Sequence, residues 1–243
     1  MGEIMDLKTL KTELSERYKY RIELHAHTTP ASGCSQITPK EMVETYKFLG
    51  YDAIAVTNHF MFSDKVPTDE YVKRFLADFT DTKRYGDELG LKVYLGAEIR
   101  FIGNTNDFLI FGINEKMLCE IYELLPFGIE NFREKYPMPQ SVFIQAHPMR
   151  SGIDRMPPHL VDGMEAFNMH PGHNSRIGQA ALYAHKEKYG IITAGSDFHH
   201  PNVDHEGLAA IRSNYLPDDT FGVAELLRSG DYLLEVGRGN IIL

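Results

Sequence analysis

The chain has 243 residues, 43% hydrophobic and 24% charged, with 25 Lys and Arg against 34 Asp and Glu for a formal net charge of −9. This balance excludes global disorder, and the acidic surface disfavours binding to a nucleic-acid polymer, which draws on lysines and arginines meeting phosphates. The two cysteines, Cys34 and Cys119, indicate no disulfide framework and a reducing cytoplasm, and no apolar run has membrane-spanning or signal-peptide character.

Residues 1–20 are expected to form a helical extension, because Ile4, Leu7, Leu10 and Leu14 recur at helical spacing and would dock on the body. A strand follows over 21–27. Thr38-Pro39 then opens a helix, with threonine as cap and proline at the first helical position. That helix turns Met42, Val43, Tyr46 and Leu49 inward and stops at Gly50. A second strand is expected over 52–59. Tyr71, Val72, Phe75, Leu76 and Phe79 share one face of a long helix over 68–90, so the aromatic run across 71–85 serves helix packing.

Strands over 92–101 and 107–113 come next, then a helix over 115–125 carrying Cys119 into the core. Further strands are expected over 142–148 and 163–168, a helix over 174–189, a strand over 190–199, a strand over 207–213, a helix near 218–229 and a last strand over 231–237. Strands alternating with helices predict an α/β fold with a mainly parallel sheet. The pattern itself leaves an open sheet and a closed barrel unresolved. No glycine-rich phosphate loop follows the first strand, which counts against an open nucleotide-binding sheet.

Chemistry gathers where these strands end. His25 and His27 close the first, His59 the second and Glu98 the third; His147 follows the strand over 142–148, and Asp197 and His199 close the one over 190–199. Asn168 is a neutral residue in the same kind of place. In a barrel the carboxyl ends of the strands meet on one face, so residues distant in sequence converge. His25 with His27, and Asp197 with His199, are two residues apart, which in extended chain aims both at one target. Imidazoles with carboxylates and no obligatory thiolate suit zinc, manganese or iron. Glu98 is the candidate bridge, since a carboxylate offers one oxygen to each of two metals.

HAH at 25–27, TNH at 57–59, GAE at 96–98, AHP at 146–148 and GSDFH at 195–199, in this order, resemble the PHP (polymerase and histidinol phosphatase) family. The resemblance implies a single distorted (β/α)7 TIM-like barrel over 1–243 with two to three divalent ions. It implies that His25, His27, Glu98 and Asp197 hold the first metal, that Glu98 and His147 hold a second, and that His59 and His199 contribute to a third. At this length it implies a stand-alone phosphoesterase. Three residues depart from the family pattern. Cys34 stands where His or Asp is common and is either a thiolate ligand or a small buried thiol. Asn58 replaces the usual acid, and Asn114 falls where many relatives have a histidine at the second metal.

The expected function is hydrolysis of a small phosphomonoester, akin to histidinol phosphate or a nucleotide or sugar phosphate, by a hydroxide that the cations generate near neutral pH. Asp197 or His199 would assist the leaving alcohol. Arg150, Arg176 or Arg100 would clamp the phosphate. His170, His173, His200 and His205 sit in loops near these strand ends, either solvated or at the rim, and His159 and His185 look ordinary. The implied partner is a small phosphorylated substrate, with no nucleic acid or membrane. Two alternatives remain at this stage: a C–N hydrolase of the amidohydrolase type, which usually bridges its metals with a lysine carbamate, and a degenerate metal-binding module without activity.

Overall fold

The structure is a computed structural model that describes residues 6–201, 207–237 and 239–242. In chain order it contains α1 (Leu7–Arg17), β1 (Tyr20–Ala26), α2 (Pro39–Phe48), β2 (Ala53–Val56), β3 (His59–Met61), α3 (Thr68–Leu89), β4 (Lys92–Arg100), β5 (Phe108–Phe111), α4 (Glu115–Leu124), α5 (Gly128–Lys135), β6 (Val142–Gln145), β7 (Gly163–Asn168), α6 (Ile177–Lys186), β8 (Ile191–Gly195), β9 (Ala209–Ser213), α7 (Thr220–Ser229), β10 (Leu233–Val236) and β11 (Asn240–Ile242).

The helix starts follow the local chemistry. Thr38 accepts from the Glu41 amide while Glu41 reaches back to the Thr38 amide, a reciprocal capping box in front of Pro39. The helix over 68–90 appears nearly whole as α3, and Gly90 ends it in the left-handed conformation. α5 was not anticipated: it buries only Ile129 and Phe132, too little for a periodic signal. α1 forms, but none of its residues is buried and Leu7 stays exposed. It is tied down through its end instead, where Tyr18 bonds Asp231 and Arg212 holds the Ser15 carbonyl. Ile4 of the expected docking face lies outside the described residues.

The strands form one curled sheet in the order β11-β10-β9-β1-β2-β4-β5-β6-β7-β8, with β3 added to β4. Beyond β8 the chain returns to β1. Phe198 bridges Ala26, its N–H donating to the His25 carbonyl at 3.2 Å while the His27 N–H donates to its own carbonyl at 3.0 Å. The α/β expectation holds, but the sheet is less parallel than alternation suggested. Among the described residues β1–β2, β2–β4, β3–β4, β6–β7 and β7–β8 are parallel. β4–β5, β5–β6, β1–β9, β9–β10 and β10–β11 are antiparallel. No helix lies between β4 and β5, and a parallel return needs a longer crossover.

Two register slips matter for the site. β1 slips against β2 between Glu23 and Ala26, and β7 slips against β8 between Glu165 and Phe167. A bulge inserts a residue and re-aims the side chains that follow. Below the site, Ile22, Leu24, Leu109, Phe111 and Ile144 meet Val223, Ala224 and Leu227 of α7 in one dry cluster. On another side α3, α4 and α5 cover β4 to β6 through Val72, Phe75, Leu118, Ile121 and Phe132. Among the described residues no helix is long and apolar enough to cross a membrane.

β7 and β8 are held close at Gly163. A Cβ there would lie 2.5 Å from the Ile191 carbonyl oxygen and 2.6 Å from the Ile191 Cβ. Gly163→Ala is expected to cost about 1–3 kcal/mol, read as a lower denaturant midpoint at unchanged slope. An unchanged midpoint would contradict the packing described.

Candidate metal centre

Because β1, β2, β4, β6, β7 and β8 run the same way, their carboxyl ends lie together, and the residues singled out by strand position converge there. Glu98, on β4 and 1% exposed, is the centre. Its Oε1 is 3.3 Å from His25 Nε2 and 3.1 Å from His147 Nε2; its Oε2 is 3.4 Å from His27 Nε2 and 2.8 Å from His59 Nδ1. Asp197 Oδ1 stands 3.5 Å from His25 Nε2, 3.4 Å from His27 Nε2 and 3.4 Å from His199 Nδ1. His147 and Asp197 both carry positive φ, 30° and 53°. Such non-glycine strain persists where the surroundings over-determine it, commonly at functional sites.

The tautomers of three histidines follow from their partners. His25 Nδ1 is 2.8 Å from Glu165 Oε1, and an ionised carboxylate only accepts, so Nδ1 carries the hydrogen. His199 Nδ1 is 2.9 Å from the Asp197 carbonyl oxygen and likewise donates. His27 Nδ1 is 3.2 Å from Ser32 Oγ, whose own hydrogen goes to Asn58 Oδ1 at 2.9 Å, so Ser32 accepts from the ring. In each neutral ring the Nε2 lone pair is therefore free. The Nε2 atoms of His25 and His27 and Glu98 Oε2 are buried and make no hydrogen bond. Unpaired buried polar atoms are costly, and a cation would satisfy all three.

The spacings fit one. Two donors each about 2.0–2.1 Å from a tetrahedral zinc lie roughly 3.3 Å apart. The observed separations among His25, His27, Glu98 and Asp197 run from 3.3 to 3.5 Å. His25, His27 and Glu98 form one group able to hold an ion, His27, His59 and His199 another, and Glu98, Asp107 and His147 a third.

The charges are mutually dependent. Burial pushes His27 down to about 3. Burial also disfavours a charged His25, but Glu165, Asp197 and Glu98 outweigh it and hold that ring well above the usual imidazole range. Burial would raise Glu98 and Asp197; the charge of His25 is the main influence holding both well below the usual carboxylate range.

Around this centre opens a cavity of about 300 Å3, whose walls include Cys34, His59, Arg100, Arg150, His170, His173, His199 and His200. Cys34 is exposed rather than a buried thiol. Arg176 is not among the lining residues; its guanidinium bonds the Met149 carbonyl at 2.9 Å. His205 lies outside the described residues. Cys119 is half-buried against the core. Asn114 caps α4, its Oδ1 accepting from the Met117 amide at 3.0 Å.

Three buried acids escaped the sequence reading. Asp107 precedes β5, and because β5 runs antiparallel, the start of that strand reaches the site. Glu165 points from the bulged β7 and, besides orienting His25, accepts from the His147 amide at 3.0 Å. Glu23 accepts from the amides of Leu24, His25 and Ser196 at 2.8–3.0 Å and from the hydroxyls of Tyr46 and Ser196. It thereby satisfies amides freed by the β1 bulge and ties them to the loop of Asp197. The signal for Glu23 and Glu165 was faint: an acid inside an apolar strand.

The PHP domain family model matches residues 23–192. Among solved structures, a two-domain protein containing a predicted PHP-like metal-dependent phosphoesterase from Bacteroides vulgatus ATCC 8482 superposes with TM-score 0.64 at 16% identity, covering 90% of this chain. This chain spans 65% of that protein's length. A candidate metal-dependent phosphoesterase from Bifidobacterium adolescentis ATCC 15703 superposes with TM-score 0.50 at 15% identity, covering 85% of this chain and 95% of its own. At these identities the likeness is one of fold. An amidohydrolase from Chromobacterium violaceum, with bound SO4 and no metal, gives TM-score 0.49 at 13% identity over 74% of this chain and 88% of its own, too low to bear on the chemistry. No curated protein matches the sequence.

Asn58 has a role an acid cannot fill. Its Oδ1 accepts from the Thr28 amide at 2.7 Å, and its Nδ2 donates to Thr28 Oγ1 at 2.8 Å; that hydroxyl donates on to Asp78 at 3.1 Å. Asn58→Asp loses the donor and sets two acids against one hydroxyl. It is expected to lower stability by about 1–3 kcal/mol, measured by urea unfolding of the metal-free protein. A gain in stability would overturn this account.

Proposed function

We propose that this chain, which belongs to the PHP domain family, is a metal-dependent phosphoesterase acting on a small phosphomonoester, with β1, β2, β4, β5, β6, β7 and β8 as a distorted seven-stranded barrel. The observation that carries the function is the pair of buried, unpaired Nε2 atoms of His25 and His27 facing Glu98 and Asp197 at 3.3–3.5 Å. In this reading those four residues hold a first ion, Glu98 and His147 a second, and His59 and His199, with Cys34 at the rim, a third. The donor set suits zinc, manganese or iron.

Divalent cations bound there supply positive charge to the phosphate oxygens and make water a nucleophile near neutral pH. The protein does the placing. Glu165 and Ser32 hold the two imidazoles so that Nε2 faces the centre, the outer support that metal-binding histidines need. Arg150, which lines the cavity, is the group assigned to clamp the phosphate. Asp197, held well below the usual carboxylate range, remains an anionic donor and not a proton source. His199, with Nδ1 fixed on a carbonyl and its charged form disfavoured by burial, turns a neutral Nε2 to the centre and is likewise a donor to an ion and not a proton source. The cavity is about 300 Å3 and lined by polar groups, which favours a compact hydrophilic alcohol such as a sugar or amino alcohol.

Protein loaded with manganese or zinc and offered sugar phosphates, nucleotides and histidinol phosphate should release phosphate. The double variant His25→Ala, His27→Ala should fall to the level of the buffer. Equal turnover by both proteins, or none by either on every substrate and metal, would refute the enzyme.

Metal uptake should also depend on pH. In the metal-free protein the carboxylates keep a proton on His25 at neutral pH, and the cation must displace it. Binding should release protons and weaken as pH falls from 7.5 to 5.5. Calorimetry in buffers of different ionisation enthalpy reads both; binding without proton release would count against His25 as a ligand.

A further inference from the structure

Asp107 is 2% exposed and stands between an arginine and the centre. Its two oxygens each lie 2.6 Å from Arg100, one from Nε and one from Nη2. Its Oδ2 is also 3.7 Å from His147 Nε2, which in turn is 3.1 Å from Glu98 Oε1. Ligand atoms of Glu98, Asp107 and His147 all fall within 4.8 Å of one another. We infer that Asp107 is a third protein donor, with Glu98 and His147, to a second cation subsite, and that Arg100 is the positioning residue that holds it there.

This inference rests on the metal centre proposed above and adds to it a ligand that the strand-end pattern did not contain. A structural ion pair with Arg100 explains why an acid is present, but not why it is buried against a second carboxylate. Two like charges in a dry site repel, and one half-exposed guanidinium offsets only part of that. Each carboxylate oxygen accepts more than one partner, so Oδ2 can keep Arg100 and still meet an ion. The atoms that face one another at this subsite are Glu98 Oε1, Asp107 Oδ2 and His147 Nε2, all three side chains being buried. Asn114, expected at the second metal, follows the far end of the antiparallel β5, does not line the cavity, and spends its oxygen on capping α4. Two carboxylates with one imidazole form a harder donor set than two imidazoles with two carboxylates, so this subsite should prefer manganese over zinc relative to the His25–His27 subsite.

The test is metal binding, independent of turnover. Stripped wild-type protein, Asp107→Asn, Asp107→His and the His25→Ala, His27→Ala double variant are titrated with Mn2+ and Zn2+ by calorimetry, with bound metal counted by elemental analysis. Asp107→Asn should weaken one class of Mn2+ site at least about tenfold, the least expected when even an outer partner of a ligand is lost, and leave the other class unchanged. The double variant should show the reverse. Asp107→His, which keeps a donor, should bind as many ions as the wild type but shift the weakened class toward Zn2+. Wild-type numbers and affinities in both Asp107 variants, with loss in the double variant, would overturn this assignment alone. Wild-type protein that binds no ion would overturn the metal centre as well.

Discussion

Everything in this structure answers to one buried carboxylate. Glu98 sits with four imidazoles, of His25, His27, His59 and His147, within 3.4 Å of its two oxygens. Such a cluster is expensive on its own terms, since ions leaving water pay a desolvation cost that only good geometry repays. The cost here is managed by protons in the absence of a cation and by a cation when one binds. A proton on His25 and an ion on its Nε2 are alternatives, because Glu165 keeps Nδ1 occupied in either case. Leu24, Leu109 and Ile144 lie buried in an apolar cluster of the curled sheet, while the cavity opens past His59, Arg150 and His199.

Strand direction decides which residues reach that face, and this sets how far the site was legible in sequence. Where strands run parallel, the rule of looking just past the carboxyl end found His25, His27, His59, Glu98, His147, Asp197 and Asn168. The rule has no way to find Asp107, because β5 runs the other way and brings its first residues to the site. Bulges set a second limit. Alternation along β1 and β7 implies one face for every second residue, but each strand slips by a residue just after Glu23 or Glu165, so the residues beyond the slip do not keep the faces that alternation assigns. Long helices with strong stripes, α2 and α3 above all, were legible almost to their ends. Short elements such as α5 and β11 carry too few buried residues to leave a period.

The three departures from the family pattern have different standing. Asn58 and Asn114 are not weakened ligands: each oxygen is committed to a backbone amide, one in the loop that bears Ser32 and one at the start of α4. Asp78, on α3, provides the acid near the Thr28 loop, reached through the threonine hydroxyl. Cys34 differs from both. It is exposed at the cavity wall, and the three-imidazole group beside it is complete without sulfur.

The arginines show why convergence alone does not make a binding group. Three were candidates by sequence, and their surroundings separate them. Arg176 is spent on the Met149 carbonyl and lies outside the cavity lining. Arg100 lines the cavity but gives its fork to Asp107, so its charge reaches a substrate already partly neutralised. Arg150 lines the same wall and forms no ion pair among the described residues, and its amide is anchored to the His147 carbonyl at 3.0 Å. That anchor fixes the arginine's backbone to the strained turn of a metal-facing histidine. The distance between the charge that would read the phosphate and the ions that would activate it is thereby set by one short stretch of chain, AHPMR, and not by a flexible loop.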